Sequence, residues 1–240
     1  MFPIENRQGK VIAFGARALG DAQPKYLNSG EGPTFSKKAV LYGWVQAREG
    51  LRRNLPLVVA EGYMDVIAIH HSGAAAAVAP LGTALTPEQI ALLWKLHDEP
   101  VLCFDGDAAG QRAQTRALER ILPLLEPGRS ARLAVLPEGK DPDDLIAASG
   151  PEGFRKVIGT ARSLIDSLWE QVRPNSTFAS PRRGRNSGRR FAAMFAALAI
   201  IRCGAPMVMK SKAESPQCVI KFAAYRQWWH RGVRLDRKQG

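Results

Sequence analysis

Val101-Leu102-Cys103-Phe104-Asp105-Gly106-Asp107-Ala108-Ala109-Gly110 joins four apolar residues to an acid-glycine-acid turn and then to the small residues that open a helix. A short apolar run closed by a turn reads as a strand buried on both faces, and Ala108 to Leu125 reads as a long helix with basic residues along one side. The same unit recurs on either side. Upstream, Leu57-Val58-Val59-Ala60 is an apolar strand ending in Glu61-Gly62, with a helix from Asp65 to Ser72, and Ala74 to Ala79 is a second strand of small residues. Thr86-Pro87-Glu88-Gln89 starts another helix: Thr86 is the N-cap, Pro87 takes the first helical position, and Gln89 is placed to close a capping box. That helix should run to about His97. Downstream, Arg132-Leu133-Ala134-Val135-Leu136 is a fourth strand, followed by Lys140-Asp141-Pro142-Asp143-Asp144. Strands alternating with helices at this spacing predict an α/β fold with a mainly parallel sheet covered on both faces.

Further from the centre the pattern weakens. Residues 1–54 alternate short apolar runs with Gly and Pro, beginning at Lys10-Val11-Ile12-Ala13-Phe14-Gly15, and read as a small segment of strands and turns. After a strand-and-helix region over 55–145, residues 146–172 read as two helices, Pro151 to Ile158 and Ala161 to Val172. Residues 173–240 lose all periodicity. They hold 15 Lys/Arg against 2 Asp/Glu, while residues 1–172 hold 19 against 20, so the net charge of +12 lies wholly in this tail. The tail reads either as a disordered basic extension or as a stretch translated out of frame. The basic balance therefore says little about the folded part.

Each of three strands in the central region ends in acids: Glu61 with Asp65 behind it, Asp105 with Asp107, and the segment carrying Asp141 and Asp143. In an open parallel sheet, ligands collect at the carboxyl ends of the strands, so these side chains should converge. Converging carboxylates repel, and a divalent cation relieves the repulsion; oxygen ligands with no His or Cys among them point to Mg²⁺ or Mn²⁺. Gly106 and Gly110 are expected to let the backbone turn tightly around such an ion. A lone Asp-x-Asp or Asp-Pro-Asp is ordinarily a solvated loop or a helix cap. It is the order of the acids at successive strand ends that argues for a metal site.

These acids sit in motifs with a known likeness. Glu61-Gly62-Tyr63-Met64-Asp65-Val66, Leu81-Gly82-Thr83-Ala84-Leu85-Thr86, Phe104-Asp105-Gly106-Asp107-Ala108-Ala109-Gly110 and Asp141-Pro142-Asp143 resemble the TOPRIM module as bacterial DnaG-type primases carry it. Val11-Ile12-Ala13-Phe14-Gly15-Ala16-Arg17, Pro24-Lys25-Tyr26-Leu27-Asn28-Ser29 and Phe35-Ser36-Lys37 resemble the basic segment that precedes it in the polymerase core. The resemblance covers residues 2–172 and implies a truncated primase. It makes 1–54 the end of the basic subdomain, 55–145 the TOPRIM domain and 146–172 a helical segment. The implied activity is synthesis of short RNA primers on single-stranded DNA by two-metal nucleotidyl transfer, a DNA-directed RNA polymerase reaction. The implied metal ligands are Glu61, Asp105 and Asp107, completed by Asp141, Asp143 and Asp65. Arg17, Lys25, Asn28 and Lys37 would hold template, RNA or nucleotide phosphates. The same likeness implies NTPs, single-stranded DNA and an RNA-DNA hybrid as ligands, and the replicative helicase and single-strand-binding protein as the family's partners. Two departures stand out: the family's zinc site is missing, since no cysteine precedes Cys103, and the helicase-binding domain is not recognisable. A TOPRIM nuclease, or a noncatalytic product that still binds metal, would use the same acids.

Composition bounds the rest. The chain has 240 residues, 45% hydrophobic and 23% charged, enough for one core and a small second unit. No apolar run approaches the ~18 residues of a membrane span, and the start Met1-Phe2-Pro3-Ile4-Glu5-Asn6-Arg7 does not read as a secretory signal. A cytoplasmic, replisome- or nucleoid-associated protein is expected. Cys103, Cys203 and Cys218 are too few and too scattered for a disulfide framework and read as free thiols.

Overall fold

A computed structural model describes residues 1–20, 23–82 and 84–172. Within them the chain forms two sheets. The first is an antiparallel meander of β1 (Phe2–Glu5), β2 (Val11–Arg17) and β3 (Tyr26–Asn28). The second holds β4 (Leu57–Val59), β5 (Ala76–Val78), β6 (Val101–Phe104), β7 (Arg132–Val135) and β8 (Arg162–Ser163), in the order β5-β4-β6-β7-β8. The first four of these pair in parallel, as the alternating pattern predicts. β8 runs antiparallel on β7, with Arg132 opposite Ser163. Two residues are too short to leave a pattern, so this strand is not legible in the sequence.

Among the described residues six α-helices flank the sheets: α1 (Trp44–Arg52), α2 (Tyr63–Ser72), α3 (Pro87–Leu96), α4 (Ala108–Ile121), α5 (Pro142–Gly159) and α6 (Leu164–Val172). The central strands bury both faces, which is why they read as unbroken apolar runs. Leu57, Val59, Leu102, Phe104 and Leu133 point into a core shared with α1, α3, α4 and α6. Val58, Val101, Cys103 and Ala134 point the other way, against α2 and α5, where Val66, Ile69 and Phe154 pack. Cys103 is a buried free thiol, while Cys203 and Cys218 lie outside the described residues, as does every reading made of 173–240. No described helix is long and apolar enough to cross a membrane.

The expectation of strands and turns throughout residues 1–54 fails at α1. Trp44, Ala47 and Leu51 recur at helical spacing, and Trp44, Ala47 and Gly50 are buried on the sheet. Gly43 in left-handed conformation starts the helix (φ 77°), so the glycine that looked like loop punctuation is its entry residue. The two helices expected after residue 145 are also redrawn: α5 already begins at Pro142 and runs to Gly159, breaking at Gly150, where φ is 67°. α6 then starts at Leu164, after β8.

The two sheets meet around Tyr63, at the first position of α2. Its ring stacks on Phe2 at 4.8 Å between centroids and meets Tyr42 edge-on at 4.7 Å. Its hydroxyl donates to Asn28 Oδ1, and Asn28 Nδ2 reaches Leu81 O at 3.4 Å. Ile4, Ala13, Phe35 and Leu81 close this small third core.

Candidate functional site

The strand tips bring Glu61, Asp65, Asp107 and Asp141, four of the other five expected acids, within electrostatic reach of Asp105. Glu61 follows β4, and its Oε1 accepts from Asp105 N at 3.4 Å, tying the ends of β4 and β6 across 44 residues. Asp65 lies in the first turn of α2, where its Oδ2 accepts from Gly62 N at 2.9 Å. Asp107 caps α4 by accepting from Gly110 N at 2.7 Å, and Asp141 caps α5 by accepting from Asp144 N at 2.7 Å. Three of the acids thus occupy helix starts, where free N–H groups and the helix dipole favour negative charge. Asp143 is exposed in the first turn of α5 and is not among the charges that bear on Asp65 or Asp105.

Asp105 differs from these four. Among the described residues no group donates a hydrogen bond to its half-buried carboxylate. Desolvation, then the charges of Glu61, Asp141 and Asp107, push its pKa up to about 6. Asp65 rises to about 7, first by burial and then by Asp105, with Gly62 N–H opposing and Asp141 and Glu61 adding to the rise. Glu61 is raised as well, chiefly by burial, against the pull of Asp105 N–H. Burial first, and neighbouring like charge after it, hold all three carboxylates above the usual range.

The donor set is oxygen alone, with no His or Cys, and suits a hard divalent cation. Among the described residues no three of these side chains close around one point. One oxygen each of Glu61, Asp65, Asp107 and Asp141 is turned to a backbone donor instead. Asp107 and Asp141 each use only Oδ1 in the cap, which leaves Oδ2 as the oxygen for an ion. The fit is therefore one of chemistry and charge.

Both glycines of the central motif are used differently from the expected tight turn. Neither has positive φ; each sits where backbone passes too close for a side chain. A Cβ on Gly106 would lie 2.0 Å from Pro137 O, and one on Gly110 would lie 2.1 Å from Asp105 O. Gly106 N donates to Lys140 O at 3.2 Å and Gly139 N to Gly106 O at 3.3 Å, which docks the β6 tip on the loop leading to Asp141.

The expected basic residues lie on the other side of Tyr63. Arg17 and Lys25 are exposed, and the Arg17 guanidinium sits over the Tyr26 ring at 5.8 Å. Lys37 is in a short 3-10 turn, Lys37–Ala39, with its N–H donating to Glu31 at 3.0 Å. Asn28 is engaged at both ends of its amide by Tyr63 and Leu81. A cleft of about 350 Å³ opens beside Glu61, lined by Pro80, Gly82, Leu85, Phe104 and Arg116 among others. Thr83, from the motif that borders it, lies outside the described residues. Two side chains the sequence showed only as parts of helices also shape this side. Arg120 donates to Ala84 O at 2.8 Å and Leu85 O at 2.5 Å, and buried Gln89 binds the 37–40 segment.

The raised acids give a testable sign. Asp65 and Asp105 bind protons in the folded state up to about pH 6–7, but in the unfolded chain only near pH 4. The folded state then holds more protons over this window, so stability present at low pH is lost as pH rises through it. Without divalent ions the thermal midpoint should fall between about pH 5 and about pH 7.5. Added Mg²⁺ should recover more of it at the higher pH, and Asp65→Asn, which keeps the bond from Gly62 N, should flatten the curve. Scanning calorimetry with and without EDTA checks this; a midpoint that climbs over the same range would overturn it.

Known proteins show the same parts in the same order. A family model described as Toprim-like matches residues 58–146, and one described as the N-terminal domain of the DNA primase catalytic core matches residues 1–48. The DNA primase of Pasteurella multocida is 46% identical over 180 residues, covering 75% of this chain and 31% of that protein. That of Pseudomonas aeruginosa is 47% identical over 173 residues, covering 72% and 26%. Among solved structures, a DNA primase domain from Pseudomonas aeruginosa superposes with TM-score 0.75 at 43% identity, over 82% of this chain and 62% of that one. A DnaG primase catalytic domain bound to ssDNA superposes with TM-score 0.71 at 37% identity, over 83% and 64%. The chain thus spans about a third or less of the length of these curated relatives.

Proposed function

Because the chain belongs to the DnaG-type DNA primases, we propose that it carries the metal-binding half of a nucleotidyl transfer site that builds short RNA primers on single-stranded DNA. The observation that carries this reading is Asp105: a half-buried carboxylate with no hydrogen-bond donor among the described residues, flanked by Glu61, Asp107 and Asp141. In this reading residues 55–145 are the metal-binding domain, 1–54 the basic part that receives template, and 146–172 a helical support.

Glu61, Asp105 and Asp107 hold divalent ions, Mg²⁺ or Mn²⁺, and Asp141 and Asp65 complete the negative field around them, with Asp143 standing outside it. What such ions supply is charge: toward the attacking 3′-hydroxyl oxygen and toward the leaving pyrophosphate. The chain's own residues do the rest by position. The bond from Asp105 N to Glu61 and the docking of Gly106 on the 137–140 loop keep three strand tips in one place, and preorganised charge of this kind does not have to rearrange as the reaction proceeds. Arg17, Lys25 and Lys37 meet phosphates, contacts that fix a polynucleotide's path without reading bases. Asn28 serves the same surface by holding it to Tyr63 and Leu81.

An assay with NTPs, single-stranded DNA and Mg²⁺ tests this on the chain and on Asp105→Ala. Short RNA from the parent and none from the variant is expected. Cleaved DNA would make the acids a nuclease's. No product, with Mg²⁺ still bound, would leave a noncatalytic chain that only holds metal.

A further inference from the structure

Gln89 is wholly buried, and its amide spans two parts of the fold. A capping box asks only that the residue three after the cap accept from the cap's N–H, which Glu does as well as Gln. Gln89 Oε1 does this, accepting from Thr86 N at 3.1 Å. What Gln adds is the amide nitrogen, and both its hydrogens are used: Nε2 donates to Lys37 O and to Val40 O, each at 2.9 Å and about 50 residues away. Thr86 Oγ1 donates to Lys38 O at 2.7 Å. The start of α3 therefore grips three carbonyls of the 37–40 segment.

Beyond this grip, the segment is tied by Lys37 N–H to Glu31 at 3.0 Å and by Val40 at the edge of the third core. Its 3-10 turn has no side-chain cap and no buried residue, and carries Lys37 and Lys38 side by side. Two of the three gripped carbonyls belong to Lys37 and Lys38, which are not part of the core, and a buried amide that holds them is explained by what they present. We infer that Gln89 is a positioning residue: it sets Lys37 at the angle from which its ammonium meets a phosphate of a single-stranded polynucleotide. The inference rests on the proposed function, in which the basic segment receives template.

Binding of a fluorescent oligothymidine to the full chain, across a range of salt concentrations, tests it. Lys37→Ala should weaken binding and lower the slope of log affinity against log salt by about 1, the signature of one phosphate contact. Gln89→Glu keeps the cap acceptor and removes both donors. It should weaken binding about fivefold or more, as losing buried hydrogen bonds does, and lower the slope by the same amount. Combined with Lys37→Ala it should add almost nothing, because the two act as a unit. Gln89→Met, of similar volume and without charge, serves if the buried Glu prevents folding. A loss of folded protein alone reduces the number of sites and leaves the slope unchanged, and residues 173–240 contribute equally to every variant. Additive losses, or Gln89 variants with wild-type slope, overturn the inference. If Lys37→Ala itself binds as the parent does, the basic segment does not receive the polynucleotide, and the reading beneath the inference fails with it.

Discussion

Asp105→Asn is expected to raise the thermal midpoint of the metal-free protein at neutral pH and, in the same molecule, to remove its stabilisation by Mg²⁺. Both follow from one feature. The Asp105 carboxylate is half-buried, takes no hydrogen bond among the described residues, and faces Glu61, Asp141 and Asp107, so ionising it near pH 7 costs folding energy. The amide has nearly the same shape and no charge, and relief of about 1 kcal/mol moves the midpoint of a domain this size by roughly 2–4 °C. Mg²⁺ held by the folded parent as proposed would stabilise it by mass action, by about 2.7 kcal/mol at a hundred times its Kd, and the variant should show little of it. Primer synthesis should fall by more than the ~10–100-fold that loss of a group behind a metal ligand costs. Thermal scans with EDTA and with Mg²⁺, beside the primer assay, check all three. A variant less stable than the parent, yet still stabilised by Mg²⁺, would make Asp105 a structural acid and remove the basis of the metal site.

The sequence makes this arrangement readable only in part, for reasons that lie in particular residues. Apolar runs closed by acids mark β4, β6 and β7 because strands buried on both faces must be continuous in character, and Thr86-Pro87-Glu88-Gln89 marks α3 because a capping box is local chemistry. The convergence of Glu61, Asp105 and Asp141 follows from the parallel order of those strands. Contacts between distant residues leave no such trace. Nothing local tells that Gln89 binds the carbonyls of Lys37 and Val40, or that Asn28, expected to meet phosphate, is held by Tyr63. α1 was hidden by the glycines around it, although Trp44, Ala47 and Leu51 keep helical spacing. Asp107 and Asp141 show a different limit: the same side chain can be a helix cap and a candidate ligand, and residue type does not separate the two.

Gly106→Ala is expected to lower the midpoint by about 10 °C and to weaken the response to Mg²⁺ about tenfold, though it removes no acid. The added Cβ would stand 2.0 Å from Pro137 O, 2.6 Å from Pro137 C and 2.7 Å from Leu136 O, all backbone, so no side chain can swing aside. The β6 tip and the 136–140 loop must part. Overpacking of this kind costs about 1–3 kcal/mol, and the bonds from Gly106 N to Lys140 O and from Gly139 N to Gly106 O would add about 1 kcal/mol each. At about 2–4 °C per kcal/mol the sum reaches the stated fall. The weaker Mg²⁺ response has the same origin, since the loop that moves leads directly into Asp141 at the cap of α5, and separating it from Asp105 thins the negative field. Gly159→Ala is the control: a Cβ there meets open space without positive φ, and the change should stay within about 1 kcal/mol. Thermal scans of both variants with and without Mg²⁺ decide it. If Gly106→Ala behaves as Gly159→Ala does, close approach of the two tips is not what assembles the acids.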